Sequence, residues 1–134
     1  MAQIIINASG AVFGRLCSYA AKQALEGNEI IVVNSEKAIM SGSEADVLAK
    51  YKKLRAKGGF SQKGPRILRA SERILKRGIR GMLPDFREGQ GRLAFKRVRC
   101  YEGVPAEFEK KEMIKLKVQI PKKYIQLKEL SERL

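Results

Sequence analysis

Two β-branched runs flanking an almost wholly apolar helix constrain the fold more than any other feature of this chain. Ile4-Ile5-Ile6 is followed at once by the turn formers Asn7, Ser9 and Gly10, as a short buried strand would be. From Ala11 to Glu26 the polar positions Arg15, Ser18, Lys22 and Glu26 recur at three- and four-residue spacing, and nearly everything between them is apolar or alanine. The pattern predicts a helix with one narrow wet stripe, stopped by Gly27 at its C-terminal cap. Ile30-Ile31-Val32-Val33 then runs without alternation, as a strand covered on both faces does. Strand, helix and strand make a βαβ unit, which predicts an α/β architecture with a parallel sheet and helices on its faces. At 134 residues the chain suits one domain with a real core.

Downstream, Ser35 to Ser43 is small and polar, and Ser43 can cap a helix from Glu44 to about Lys57 with Val47, Leu48, Tyr51 and Leu54 on its core face. Gly58-Gly59 to Pro65 reads as a glycine-rich loop. Ser71 reads as the N-cap of a helix toward Leu83, with Leu75, Ile79, Met82 and Leu83 on its apolar side. Gly78 and Gly81 each cost about 1 kcal/mol relative to alanine inside a helix, which predicts close approach of another backbone, protein or RNA, or else fraying before Pro84. Asp85 to Arg92 reads as a loop because it contains Gly89 and Gly91, Leu93-Ala94-Phe95 as a helical turn, and Val98 to Cys100 as a strand ended by Gly103-Val104-Pro105. Ile114, Leu116, Val118 and Ile120 alternate with polar residues as a half-exposed extended segment ending at Pro121, and Leu127, Leu130 and Leu134 suggest a last short helix.

Charge divides the chain sharply. Residues 50–99 hold seventeen of the 28 Lys and Arg but three of the 14 acids, so the rest of the chain balances. This separates a charge-balanced scaffold (1–49), a basic region (50–99) and a strand with a C-terminal tail (100–134). Such segregation is the footprint of a nucleic-acid binder rather than of a generally basic surface. The candidate RNA contacts are Lys50, Lys53, Arg55 and Lys57 on the first basic helix, and Lys63, Arg66 and Arg69 around the loop. Arg73, Lys76, Arg77 and Arg80 share one side of the next helix, and Arg87, Arg92, Lys96 and Arg97 follow it. Six to ten phosphate contacts would make affinity fall about 10³ to 10⁵ fold between 50 and 200 mM salt. The interleaved aromatics are few (Tyr51, Phe60, Phe86 and Phe95), which favours recognition of folded RNA through its backbone over stacking of single-stranded bases.

Two other classes compete. The turn from Asn7 to Arg15 lies between a strand and a helix, where a nucleotide-binding α/β enzyme cradles phosphate. Its glycines are Gly10 and Gly14 rather than GxGxxG, no GxxxxGK[ST] occurs, and Glu36 stands two residues beyond Asn34 where a ribose-binding acid is wanted. Backbone turning and close helix-to-sheet packing are the expected roles of Gly10 and Gly14. The chain has no histidine and no CxxC pair, so zinc sites and His-assisted catalysis have no residues to use. Cys17 and Cys100 read as small buried thiols, and no catalytic residue, metal or cofactor is expected. A membrane-surface binder would gather its cations on one amphipathic helix rather than over two helices and two loops. With no run of 18 apolar residues and no basic-then-apolar leader, a soluble protein that is not secreted is expected.

Gly14-Arg15-Leu16, Ala20-Ala21-Lys22, Val32-Val33-Asn34-Ser35-Glu36 and Ile39-Met40-Ser41-Gly42 resemble the N-terminal half of the universal large-ribosomal-subunit protein thirteen family. Gly64-Pro65-Arg66, Arg77-Gly78-Ile79-Arg80-Gly81-Met82-Leu83-Pro84, Arg97-Val98 and Tyr101-Glu102-Gly103-Val104-Pro105 resemble its second half, in the family order. The direct start at the first strand resembles the archaeal and eukaryotic branch. The resemblance implies a three-layer α/β/α domain around a four-stranded, mainly parallel sheet, with basic loops and a C-terminal extension. It also implies a structural constituent of the large ribosomal subunit, cytoplasmic in the ribosome, that binds large-subunit rRNA and supports its assembly. Neighbouring ribosomal proteins would be its other partners, with no catalysis, membrane, small-molecule substrate or obligate homo-oligomer.

Overall fold

The structure, a computed structural model, describes residues 2–57, 69–116 and 120–134. The opening βαβ unit forms as its sequence predicts. Strand β1 (Gln3–Asn7) and strand β2 (Glu29–Val33) pair in parallel from Gln3–Glu29 to Asn7–Val33, joined by helix α1 (Phe13–Leu25). Leu16, Cys17, Ala20, Ala21 and Ala24 of α1 are buried, and the predicted polar stripe is exposed. Gly10 (φ +74°) and Gly27 (φ +101°) turn the chain at either side of α1 in the left-handed region that a side chain disfavours.

The 35–43 stretch is less loop than its polarity suggests. After a 3₁₀ turn at Ser35–Lys37 it forms β3 (Ile39–Ser41), and Ser43 Oγ then accepts the Asp46 amide at 3.2 Å to open α2 (Glu44–Ala56). Val47 and Leu48 of α2 are buried, and Tyr51 and Leu54 are half-buried. Helix α3 (Ser71–Gly81) buries Ile74, Leu75 and Ile79. Helix α4 runs from Gly89 to Lys96, so the segment read as loop to Arg92 is helical from Gly89 on. Strands β4 (Val98–Cys100), β5 (Ile114–Lys115) and β6 (Tyr124–Gln126) and helix α5 (Leu127–Arg133) complete the chain.

The central sheet has the order β4-β2-β1-β5, with every neighbour parallel, and β3 pairs antiparallel with β6 in a separate two-stranded sheet. This is the expected α/β fold with a four-stranded parallel sheet. Its layers are unequal. Ile6, Ile30, Val32 and Val98 face a core shared with α1, α3, α4 and α5, whereas Ile5, Ile31 and Val33 are closed over by Phe108 of a 3₁₀ turn at Ala106–Phe108. Burying an Ile or Leu fully contributes roughly 1.5–3 kcal/mol, and Ile6, Leu16, Ile30, Ile31, Ile74, Leu75, Ile79, Leu127 and Leu130 are all buried to that degree.

The motif glycines have different roles from those expected. A Cβ at Gly78 would strike the Phe13 ring and touch Cys17 Sγ, so the close neighbour is the side-chain surface of α1 rather than a backbone. No atom of the described residues comes within 4 Å of such a Cβ at Gly81 or Gly14, so among them neither close approach at the first nor helix-to-sheet packing at the second is seen. Backbone approach occurs instead at Gly91, where a Cβ would collide with the carbonyl oxygens of Pro84 and Asp85. Pro84 lies three residues past the end of α3, and Met82, 46% exposed, turns away from the apolar stripe it was expected to close. Ser71 does not cap α3; its hydroxyl donates to Glu102 Oε1, and Ala70 holds the N-cap position. Gly91→Ala should therefore lower unfolding free energy by about 1–3 kcal/mol. Gly81→Ala should leave it unchanged or raise it by up to about 1 kcal/mol. Urea denaturation of both variants checks the pair.

Candidate nucleic-acid interface

The basic region folds into three helices whose apolar sides face the core, so their cations are sorted outward by periodicity. Lys50, Lys53, Arg55 and Lys57 are exposed on α2 and at its C-cap. Arg73 is exposed on α3, with Lys76, Arg77 and Arg80 half-buried beside it. Arg87, in the turn before α4, and Arg92 and Lys96 on α4 are exposed. The Tyr51 phenol is pushed above its ordinary pKa by burial and by Cys17, and drawn back by Arg77, so Arg77 of α3 lies within electrostatic reach of α2. Among the described residues the ion pairs within 4 Å both belong to Arg133, with Glu44 and Glu129 at 3.6 Å each, and none involves a cation of the basic region. A face of cations without carboxylate partners is costly by itself and suits a polyanion.

Two expected contacts are committed elsewhere. Arg69 Nε and Nη2 donate to the carbonyls of Ser131 and Glu132 at 2.7 Å each, and Ser131 Oγ returns a bond to the Arg69 carbonyl at 2.8 Å. Arg97 Nη1 donates to Ala24 O at 2.9 Å. Each guanidinium neutralises carbonyls at the end of a helix, α5 and α1 respectively, and so holds the fold together. Lys63 and Arg66 lie outside the described residues. Conversely, exposed Lys52 and Arg99 went unassigned from sequence, although the alternation of buried Val98 with Arg99 on β4 points Arg99 outward. With Glu72, Arg73, Lys76, Cys100 and Tyr101, Arg99 lines a cavity of about 360 Å³ between α3 and β4.

The turn after β1 bonds largely to itself and to its neighbours. The amides of Ala8, Gly10 and Ala11 donate to the carbonyls of Val33, Lys37 and Ala8 at 3.0–3.1 Å, and the Ser9 amide to Asn7 Oδ1 at 3.0 Å. Glu36, the acid beyond β2, accepts the Gly103 amide at 2.9 Å, and Asn34 Nδ2 bonds Asn7 Oδ1 at 3.1 Å across the strand ends. The amides of residues 8–11 are thus used within the protein. Burial pushes the Cys100 thiol up to about 12 and the Cys17 thiol higher still, so neither is a thiolate nucleophile near neutrality. Among the described residues no three potential metal-ligating side chains gather, and no helix is long and apolar enough to cross a membrane.

The model of the family described as ribosomal protein L13 matches residues 2–107. The chain belongs to the ribosomal protein L13 family. Its relatives include the large ribosomal subunit protein uL13 of Methanosarcina barkeri, 42% identical over 97% of this chain and 96% of that protein. The protein of the same name from Archaeoglobus fulgidus is 42% identical over 97% and 86%, and that from Methanocaldococcus jannaschii 40% identical over 97% and 96%. These archaeal relatives agree with the archaeal and eukaryotic branch expected from the sequence.

Within this L13 family member, Glu72 of the α3–β4 groove pairs with Glu102. Burial raises the Glu72 pKa above its ordinary value, and hydrogen bonding to and repulsion from Glu102 raise it further. Glu102 is lowered, first by the hydrogen bond from Ser71. One Glu72 oxygen, Oε2, is buried without a hydrogen-bond partner. Because folding raises the Glu72 pKa, its contribution is fully present below 4.5, the ordinary carboxyl value, and is lost as pH rises through the folded pKa. Glu102 acts in the opposite sense, its contribution being lost as pH falls. Glu72→Gln, whose amide can donate to Glu102 without a charge, should raise the melting temperature at pH 7. The gain should shrink below pH 4.5, where wild-type Glu72 is itself protonated; calorimetry across pH 4–8 checks the sign.

Proposed function

We propose that this protein is a structural constituent of the large ribosomal subunit, cytoplasmic within the ribosome. In this reading it binds large-subunit rRNA through the outward faces of α2, α3 and α4. The observation that carries the reading is the coincidence of L13 family membership with three adjacent helices whose cations have no carboxylate partners among the described residues. Residues 1–49 act as scaffold, residues 50–99 supply the RNA face, and neighbouring ribosomal proteins meet the remaining surface. Arg outnumbers Lys on α3, which suits bidentate grip on phosphate. Contacts of this kind fix position on folded RNA without reading base sequence. No catalytic role belongs to this reading, since histidine is absent, burial raises both thiols and the amides of residues 8–11 are bonded within the protein.

Binding to protein-free large-subunit rRNA between 50 and 300 mM salt tests the reading. Arg73→Gln with Arg77→Gln should weaken binding about tenfold near 0.1 M salt and reduce the log–log salt slope by about 0.7–0.9 for each phosphate no longer neutralised. An unchanged affinity and slope would remove α3 from the interface. Stabilisation of the protein by micromolar nucleotide would instead revive the enzyme reading.

A further inference from the structure

Two aromatic rings of the basic region, Phe86 and Phe95, carry cations on their faces. Phe86, in the turn between α3 and α4, has the Arg80 Cζ 4.4 Å and the Arg87 Cζ 5.4 Å from its ring centroid. Its ring meets Phe95 of α4 edge to face, with centroids 6.1 Å apart and planes at 77°, and the Lys76 Nζ lies 5.1 Å from the Phe95 centroid. Two cations therefore converge on one ring and a third on the ring behind it. Cation–π attraction offsets part of their mutual repulsion. A guanidinium gives its flat face to the ring and keeps its N–H fork for another partner.

Three features make this arrangement more than a packing accident. The cluster lacks a counterion: neither Arg80 nor Arg87 pairs with a carboxylate within 4 Å among the described residues. Of the two acids beside the ring, Asp85 shapes the turn, its Oδ1 accepting the Arg87 amide at 3.0 Å, and Glu88, next to Arg87, makes no ion pair within 4 Å among the described residues. The turn itself is held fast, because the absence of a side chain at Gly91 lets the Pro84 and Asp85 carbonyls press onto the first turn of α4. A fixed ring with two guanidiniums over it is pre-organised for a tetrahedral dianion or a phosphodiester, and pre-organisation lowers the cost of ordering long side chains on binding.

We propose that Arg80 and Arg87 form a phosphate clamp for a backbone phosphodiester of RNA, and that Phe86 is its positioning residue. The inference rests on the reading of this face as an RNA interface and assigns it a defined grip. Full-length Phe86→Leu, Phe86→Tyr, Arg80→Lys and the Phe86→Leu/Arg80→Lys double variant are compared with wild type by titration of protein-free large-subunit rRNA at several salt concentrations. Phe86→Leu and Arg80→Lys should each weaken binding about tenfold, Phe86→Tyr should bind as wild type, and the double variant should be no weaker than either single. Arg80→Lys keeps the charge, so weaker binding by this variant would report the fork and its seat on the ring rather than net charge. If Phe86→Leu binds normally, or its effect adds to that of Arg80→Lys, the clamp is wrong while the interface stands, provided Arg73→Gln/Arg77→Gln still weakens binding. If no variant, including Arg73→Gln/Arg77→Gln, alters affinity, the interface falls as well. Should Phe86→Leu not fold, wild-type affinity in Arg80→Lys alone overturns the clamp.

Discussion

The contact of α3 with α1 is the constraint on which the rest depends. Gly78 leaves room for the Phe13 ring and for Cys17, whose thiol reaches toward the Leu75 carbonyl at 3.8 Å. That contact seats Ile74, Leu75 and Ile79 in the core and so fixes which way Arg73, Lys76, Arg77 and Arg80 point. A helical glycine costs about 1 kcal/mol in intrinsic propensity, and here close packing of two helices offsets it. The helix that presents the charge is thus positioned by a scaffold poor in cations.

The parallel sheet supplies rigidity, and two arginines extend it to the ends of the chain. Arg97 ties β4 to the end of α1, and Arg69 ties the start of α3 to the end of α5. The remaining cations of the region have no comparable partners among the described residues, and burial together with Arg77 and Arg87 lowers the Arg80 pKa from its ordinary value. Mutual repulsion of this kind disfavours the isolated fold and is relieved by a polyanion, so stability and binding draw on the same residues in opposite senses. Phe86 and Phe95 moderate the conflict by giving three cations a ring to rest on.

What the sequence revealed follows from the range of each interaction. The strands at Ile4–Ile6 and Ile30–Val33, helix α1 and the Ser43 cap are encoded by neighbours a few residues apart, and they were legible. Strands β3 and β6 are three residues each and define one another across more than eighty positions, so no local periodicity announces them. The first half of helix α4 was hidden because Gly89 and Gly91 resemble loop residues, although Gly91 is required by the backbone pressed against it. The basic face was legible as charge. The distinction between Arg69 or Arg97, which bond carbonyls at helix ends, and the other arginines was not, because it depends on distant helix ends.

The central claim is that the outward faces of α2, α3 and α4 lie on rRNA. Ultraviolet crosslinking of purified large subunits containing this protein, followed by mass spectrometry of the RNA-linked peptides, tests it most directly. Crosslinks should concentrate in peptides from residues 44–99, with few from the side of the sheet closed by Phe108. Crosslinks concentrated around Ala106–Phe108 and Ile114, with the lysines of α2 and α4 fully reactive to acylation in the intact subunit, would contradict it.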